Sequence, residues 1–220
     1  MRSIIVSCLF GGLSVVNDAA APPPECNDIM FNAALAAREK EKMKKKIYFI
    51  PTLKTEEERK KMKASKSFLS LLKKRESNDV LVVSSNLYGS MATAYDVIGP
   101  ANMGNAKIYS ISALNKNMDW TVGENPTKDI EKFGVTIPLN HARTMFNYMN
   151  VKSKLADWTI KVRSNRFCKW LSNKSESNVI VFGHQGWLDD LKGLMTAAPI
   201  QSEPNMYVFD LEVTADGCFN

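Results

Sequence analysis

An imidazole placed directly after a buried strand is the strongest chemical signal in this chain. Val179, Ile180, Val181 and Phe182 form a continuous apolar run, which is how a strand buried on both faces of a parallel sheet reads. Gly183 ends the run, His184 follows at once, and Trp187, Leu188, Leu191 and Leu194 then recur at helical spacing. The stretch from Asn178 to Gly193 therefore predicts strand, sharp turn and helix. It sets His184 at the carboxyl edge of a strand, where open α/β sheets keep their ligand sites. The bland alternative for such a histidine is a satisfied polar residue at a strand end. The second of the two histidines, His141, lies in Asn140-His141-Ala142-Arg143 and reads as a polar residue near a helix start. With no carboxylates at ligand spacing near either, the pair cannot build a metal site. Neither a Walker nor a dinucleotide glycine loop is present, so no cofactor is expected.

The four cysteines, Cys8, Cys26, Cys168 and Cys218, are far apart and include no CxxC pair. That spacing argues against a zinc or thioredoxin-type site. Scattered free thiols in a reducing compartment fit it best, with a disulfide between any two left open. The chain has 220 residues, a net charge of +6 and an apolar fraction of 45%, the profile of an ordinary globular protein. Positive charge concentrates in Arg38 to Lys46 and Lys54 to Arg75, interleaved with acids. Such runs read as solvated helix faces, and nucleic-acid binding is not expected.

The elements that must position His184 alternate. Residues 1–26 form an apolar arm, Ile4 to Val16, and a proline-rich linker containing Pro22, Pro23 and Pro24. The arm has the outline of a signal peptide but is diluted by polar and glycine residues, so a retained arm is expected over a cleaved leader. The compartment expected is cytoplasmic or organellar, a mitochondrial one included. Residues 27–220 read as one domain. Asn27 or Asp28 caps a helix reaching about Lys45, and Ile47 to Ile50 is a strand closed by Pro51. Thr55 with Glu58 forms a capping box opening a helix to Arg75, whose buried stripe is Met62, Ser65, Phe68, Leu69 and Leu72. Strands at Asp79 to Ser84 and Lys107 to Ser112 bracket a helix from Leu87 to Ile98. A polar, irregular insert covers Asn115 to Leu139, helical periodicity runs from about Asn140 to Leu171, and a last strand spans Tyr207 to Val213. This alternation predicts an α/β fold with a mostly parallel central sheet flanked by helices. Nothing approaches the length of a membrane span.

Four pieces in order carry a family resemblance. They are Leu53 to Glu57, Val83-Ser84-Ser85-Asn86-Leu87 followed by Thr93-Ala94, Phe167 to Leu188, and Asn205 to Leu211. Together they resemble the histidine phosphatase superfamily, the phosphoglycerate mutase-like fold, over roughly Leu53 to Gly217. The resemblance implies phosphoryl-transfer chemistry by an Arg-His-Gly histidine nucleophile, a carboxylate acid, two arginines and a second histidine. His184 fits the second-histidine position. The rest is missing: there is no Arg-His-Gly, Tyr88 and Gly89 stand where arginine is expected, and Leu114-Asn115-Lys116 offers an amide and an ammonium where the acid should be. Asp119 is near in sequence but is not expected to substitute.

The nucleophile position has two registers. Either Pro51-Thr52-Leu53 replaces the motif, or Glu25-Cys26-Asn27 does, with Phe31-Asn32 matching the asparagine that follows. The second is preferred. Cys26 or Thr52 then marks the degenerate position, and the acids flanking Cys26 would raise its pKa and disfavour thiolate chemistry. The expectation is a pseudoenzyme that serves as a structural or protein-interaction subunit of a larger assembly. Two alternatives stand beside it. One is a remnant pocket of His184, Tyr88, Asn86 and Lys116 that binds phosphate or a phosphorylated metabolite; the other is a phosphomonoesterase with rearranged residues.

Overall fold

A computed structural model describes residues 42–75, 79–102, 107–115, 134–149, 159–194 and 201–218. All of them belong to one unit, Glu41–Asn220. The arm, the proline linker, Cys8, Cys26, Lys116, Asp119 and most of the insert lie outside the described residues.

The described strands are β1 (Met43–Pro51), β2 (Val80–Ser85), β3 (Ile108–Ile111), β4 (Phe146–Met149), β5 (Asn178–Gly183), β6 (Gln201–Glu203) and β7 (Met206–Val213). They form one sheet in the order β4-β3-β2-β5-β1-β7-β6. Neighbours from β4 through β1 pair in parallel, and β7 runs antiparallel to both β1 and β6. β5 thus enters late in the chain and fills the slot between β1 and β2. Its apolar run follows from that place: Val179 to Phe182 are fully buried because both faces are covered.

Alternation along β1, β2 and β5 sends side chains to two cores. On one face Ile50, Val80, Val82, Ile180 and Phe182 pack with helices α1 (Glu56–Lys63), α2 (Lys66–Arg75) and α3 (Tyr88–Ile98). On the other, Ile47, Phe49, Leu81, Val83, Val179 and Val181 meet α5 (Ile160–Leu171) and α6 (Gln185–Leu194). A short α4 (Leu139–Met145) leads into β4. The expected α/β fold with a mostly parallel, helix-flanked sheet is therefore present, as a three-layer arrangement.

Local departures from the sequence reading have physical causes. The capping box forms, with Glu58 N donating to Thr55 Oγ1 at 3.2 Å and Thr55 N to Glu58 Oε2 at 2.9 Å. The helix it opens is broken at Ala64–Ser65, and α2 restarts in a new phase. Leu71 is therefore buried, and Leu69, expected in the stripe, is 44% exposed. Met43 to Lys45 are strand, not the end of a helix, because β7 pairs with them and Lys44 Nζ meets Asp210 Oδ2 at 2.9 Å. The helix expected from Asn140 to Leu171 is interrupted by β4, whose Phe146 to Met149 pair in parallel with Ile108 to Ile111. Cross-strand pairing overrides the helical period there. β6 was not anticipated. It is a three-residue strand hairpinned to β7 through a turn with Asn205 at φ 62°, a left-handed position that asparagine tolerates.

The cysteine expectation is corrected for one pair. Cys168 on α5 and Cys218 beyond β7 form a disulfide, with Cα atoms 5.6 Å apart and a sequence separation of 50. The turn carrying Cys218 docks on α5: Cys218 N donates to Asn165 Oδ1 at 3.1 Å. Gly217 sits at φ 126°, where a Cβ would come within 2.8 Å of the Asn165 side chain. Closing a loop of that length removes chain entropy from the unfolded state. Cys168→Ala and Cys218→Ala should each cost about 2–4 kcal/mol in urea unfolding, and the double variant should cost no more than either alone. Non-reducing peptide mapping should recover the linked peptides.

Trp187 is the largest fully buried side chain among the described residues. It stacks on Phe49 at 5.8 Å between centroids and meets Phe167 edge-on at 5.9 Å. Its Nε1–H finds no acceptor among the described residues. Trp187→Ala should cost about 3–5 kcal/mol. Trp187→Phe keeps a ring in the stack and removes the orphan donor, so denaturation should show a much smaller loss.

Candidate functional site

The carboxyl edge of the parallel strands is where the sequence-predicted residues meet. Pro51 pairs with Gly183 and Ser84 with Phe182. Continuing that register sets Thr52, Asn86 and His184 at one level just past the strand ends. His184 is half-buried. Its carbonyl accepts from Trp187 N at 2.9 Å, which starts the first turn of α6. The strand-turn-helix read from the sequence is present, and it places His184 between the exits of β1 and β2.

Thr52 is closely held. Its amide donates to Gly183 O at 2.9 Å, and its hydroxyl lies 3.2 Å from the same oxygen and 3.1 Å from Ser90 Oγ. One proton cannot serve both contacts, so with Thr52 donating to Gly183 the Ser90 hydroxyl donates to Thr52. Leu53 N donates to Thr93 Oγ1 at 3.1 Å, and Thr93 Oγ1 donates to Gly89 O at 2.8 Å. The exit of β1 is thereby stitched to the first turns of α3.

A second polar cluster closes the exit of β2. Ser85 Oγ donates to Asn115 Oδ1 at 2.8 Å and accepts from Leu87 N at 3.2 Å. Arg163, buried on the first turn of α5, donates through Nη1 to the Asn115 carbonyl. Burial lowers the Arg163 pKa, and the Asp190 carboxylate opposes that shift. Sequence reasoning missed Arg163 because it lies within an apolar helical stripe between Ile160 and Phe167. Its one signal is an arginine four residues before a core phenylalanine, on the face that must pack inward.

Of the other predicted residues, Tyr88 and His141 bond to other segments. Tyr88 begins α3, and its hydroxyl donates to Val135 O at 2.5 Å, toward the segment before α4. His141 sits against α3, with Nδ1 2.8 Å from Tyr95 OH. Asn86 is half-buried at the β2 exit. Cys26 and Lys116 lie outside the described residues, so of the two nucleophile registers only the Thr52 position is described. The residues directly following β1, β2 and β5, namely Thr52 to Lys54, Asn86 to Tyr88 and His184 to Gly186, carry no carboxylate. Neither do Ser112 to Asn115 after β3. Among the described residues no group of three or more His, Cys, Asp or Glu is placed to hold a metal ion.

No protein-family model matches the chain. No curated protein matches its sequence. The chemistry open to this edge must therefore be read from its own groups: hydroxyls and amides bonded to one another, one imidazole, and one buried guanidinium engaged with a backbone carbonyl.

Gly183 fixes how His184 is presented. A Cβ on Gly183 would fall 2.6 Å from Phe49 Cε2, and that ring is fully buried beneath Trp187. Gly183→Ala should therefore destabilise by about 1–3 kcal/mol through overpacking, and near-ultraviolet circular dichroism should show the Trp187 environment altered. Ser85→Ala, which removes the donor to buried Asn115, should cost about 1–3 kcal/mol in chemical denaturation.

Proposed function

We propose that this chain is a catalytically silent α/β protein, a degenerate member of the histidine phosphatase-like proteins, that serves as a structural or protein-interaction subunit. The observation that carries this reading is Thr52. Under the register that puts the degenerate position at Thr52, that residue follows β1 at the level of His184, and its hydroxyl is held by Ser90 and the Gly183 carbonyl. Covalent phosphoryl transfer needs an activated nucleophile, an acid for the leaving oxygen and cations on the phosphoryl oxygens. At this edge neither Ser90 nor the Gly183 carbonyl supplies a base to the Thr52 hydroxyl, and the described residues directly after β1, β2, β3 and β5 include no carboxylate. The Cys168–Cys218 bond favours a compartment that sustains disulfides over a reducing cytosol.

A second reading is supported by Arg163 and His184, which put two nitrogen-bearing side chains at one end of the sheet. It holds that the edge still binds phosphate or a phosphorylated metabolite without turning it over. Tryptophan fluorescence and melting temperature, followed during titration with inorganic phosphate, separate the two readings: no shift at millimolar concentration removes the binder.

The purified protein should release no phenol from an aryl phosphate above the buffer rate, and His184→Ala should leave that rate unchanged. Turnover that disappears in His184→Ala would overturn the silent-enzyme reading. In lysate of its own source the protein should migrate well above its monomer mass of 24.6 kDa on a native gel. Migration at the monomer mass would remove the subunit reading.

A further inference from the structure

We propose that the Cys168–Cys218 bond is a redox-operated latch, which a protein dithiol opens to release the last turn from α5 while the sheet stays folded. The bond lies outside the sheet. β7 ends at Val213, which pairs with Met43 of β1, and Cys218 follows in a turn closed on itself. Thr214 N donates to Gly217 O at 2.9 Å, and Gly217 N donates to Thr214 O at 3.1 Å. Alongside the disulfide, Cys218 N donates to Asn165 Oδ1 of α5 at 3.1 Å, and Cys218 Sγ lies 3.7 Å from the Ser164 carbonyl. The strand before the turn is anchored independently. It pairs with β1 from Tyr207 to Val213 and buries Phe209, Leu211 and Val213. Opening the bond therefore loosens a local set of contacts, and a segment of that kind opens at less than the global unfolding free energy.

The two sulfurs differ in access. Cys168 is fully buried in the layer that holds Phe167, Leu171 and Trp187, whereas Cys218 is half-buried. A thiolate of the dithiol attacks Cys218 Sγ, the bond between the two cysteines breaks, and Cys168 leaves as a thiolate that takes up a proton. The second thiolate of the reductant then attacks its own sulfur in the mixed disulfide. Cys218 leaves in turn and is protonated. Two electrons have passed to the protein, both cysteines end as thiols, and the reductant ends as a disulfide.

Closure is built into the same geometry. Val213 is buried and paired, so a freed Cys218, five residues on, stays within about 17 Å of that anchor. The helix that carries Cys168 is held in the core by Phe167 and Leu171. Both thiols thus remain at a high effective concentration, and an oxidant can rejoin them. The docked form also demands a particular backbone. Gly217 sits at φ 126°, and a Cβ there would come within 2.8 Å of the Asn165 side chain. A side chain at that position therefore opposes the closed latch without touching either cysteine.

The full-length protein is equilibrated at graded ratios of reduced to oxidised dithiothreitol, quenched with iodoacetamide and mapped by peptide. The bond should open without denaturant, and Cys218 should be alkylated at least tenfold faster than Cys168. In the reduced form the amides of Gly217 and Cys218 should exchange hydrogen at least tenfold faster, with the far-ultraviolet circular dichroism and a cooperative melt retained. Oxidised glutathione should restore the bond and the slow exchange. Gly217→Ala should move the half-reduction ratio at least fivefold toward the open form. A bond that dithiothreitol opens only in urea, reduction that abolishes the cooperative melt, turn amides that exchange alike in both states, or indifference to Gly217→Ala would overturn the latch.

Discussion

Everything in this fold depends on β5 being gripped on both sides. The strand hydrogen-bonds in parallel to β1 and to β2, which do not otherwise touch each other in the sheet order. Removing β5 would part the sheet into two unconnected pieces, so its apolar run is a structural necessity before it is a chemical signal. The run buries four consecutive side chains, alternately into the two cores. Gly183 ends it where a side chain would strike the Phe49 ring. The position of His184 thus follows from the packing of that strand.

At the exits of β1 and β2 short polar side chains bond to one another. Thr52, Ser90 and Thr93 tie the β1 exit to α3, while Ser85, Asn115 and Arg163 tie the β2 exit to α5. Both clusters use short hydroxyl and amide side chains to close the strand ends, work that backbone groups leaving a sheet require of something. Open α/β sheets keep their ligand sites at this edge; here the described hydroxyl and amide side chains of the two clusters bond to one another and to nearby backbone groups.

What the sequence made legible was local and periodic. The β5–α6 stretch, the Thr55–Glu58 box and the α/β alternation follow from patterns within a few residues, and each is present. What escaped it was set by partners distant in the chain. Phe146 to Met149 carry a helical period yet pair with β3. Cys168 and Cys218 show nothing in common until α5 and the last turn are packed together. Leu69 and Leu71 exchange roles because a two-residue break resets the helix phase, a change no stripe drawn through Met62 and Phe68 could reveal. Arg163 was hidden for the converse reason: it sits on the buried face of a helix, and only the sheet edge opposite gives its guanidinium a carbonyl to meet.

Lys45 carries a consequence of a different kind. Its ammonium is buried at 2% exposure, donating to the carbonyls of Lys174 at 2.5 Å and Glu176 at 2.8 Å, and so it clasps the turn between α5 and β5. Desolvation lowers its pKa, with the Glu176 carboxylate opposing. The unfolded chain therefore holds that proton more tightly than the folded one. By proton linkage, Lys45's contribution to stability rises with pH from its lowered value up to the ordinary lysine value of 10.5. Glu58 works at the other end of the scale: backbone donation from Thr55 lowers its pKa, so its contribution is present above the ordinary carboxylate value and fades as pH falls through the lowered one. Proton binding thus weakens the folded state at two places, the clasp at the head of β5 in alkali and the cap of α1 in acid.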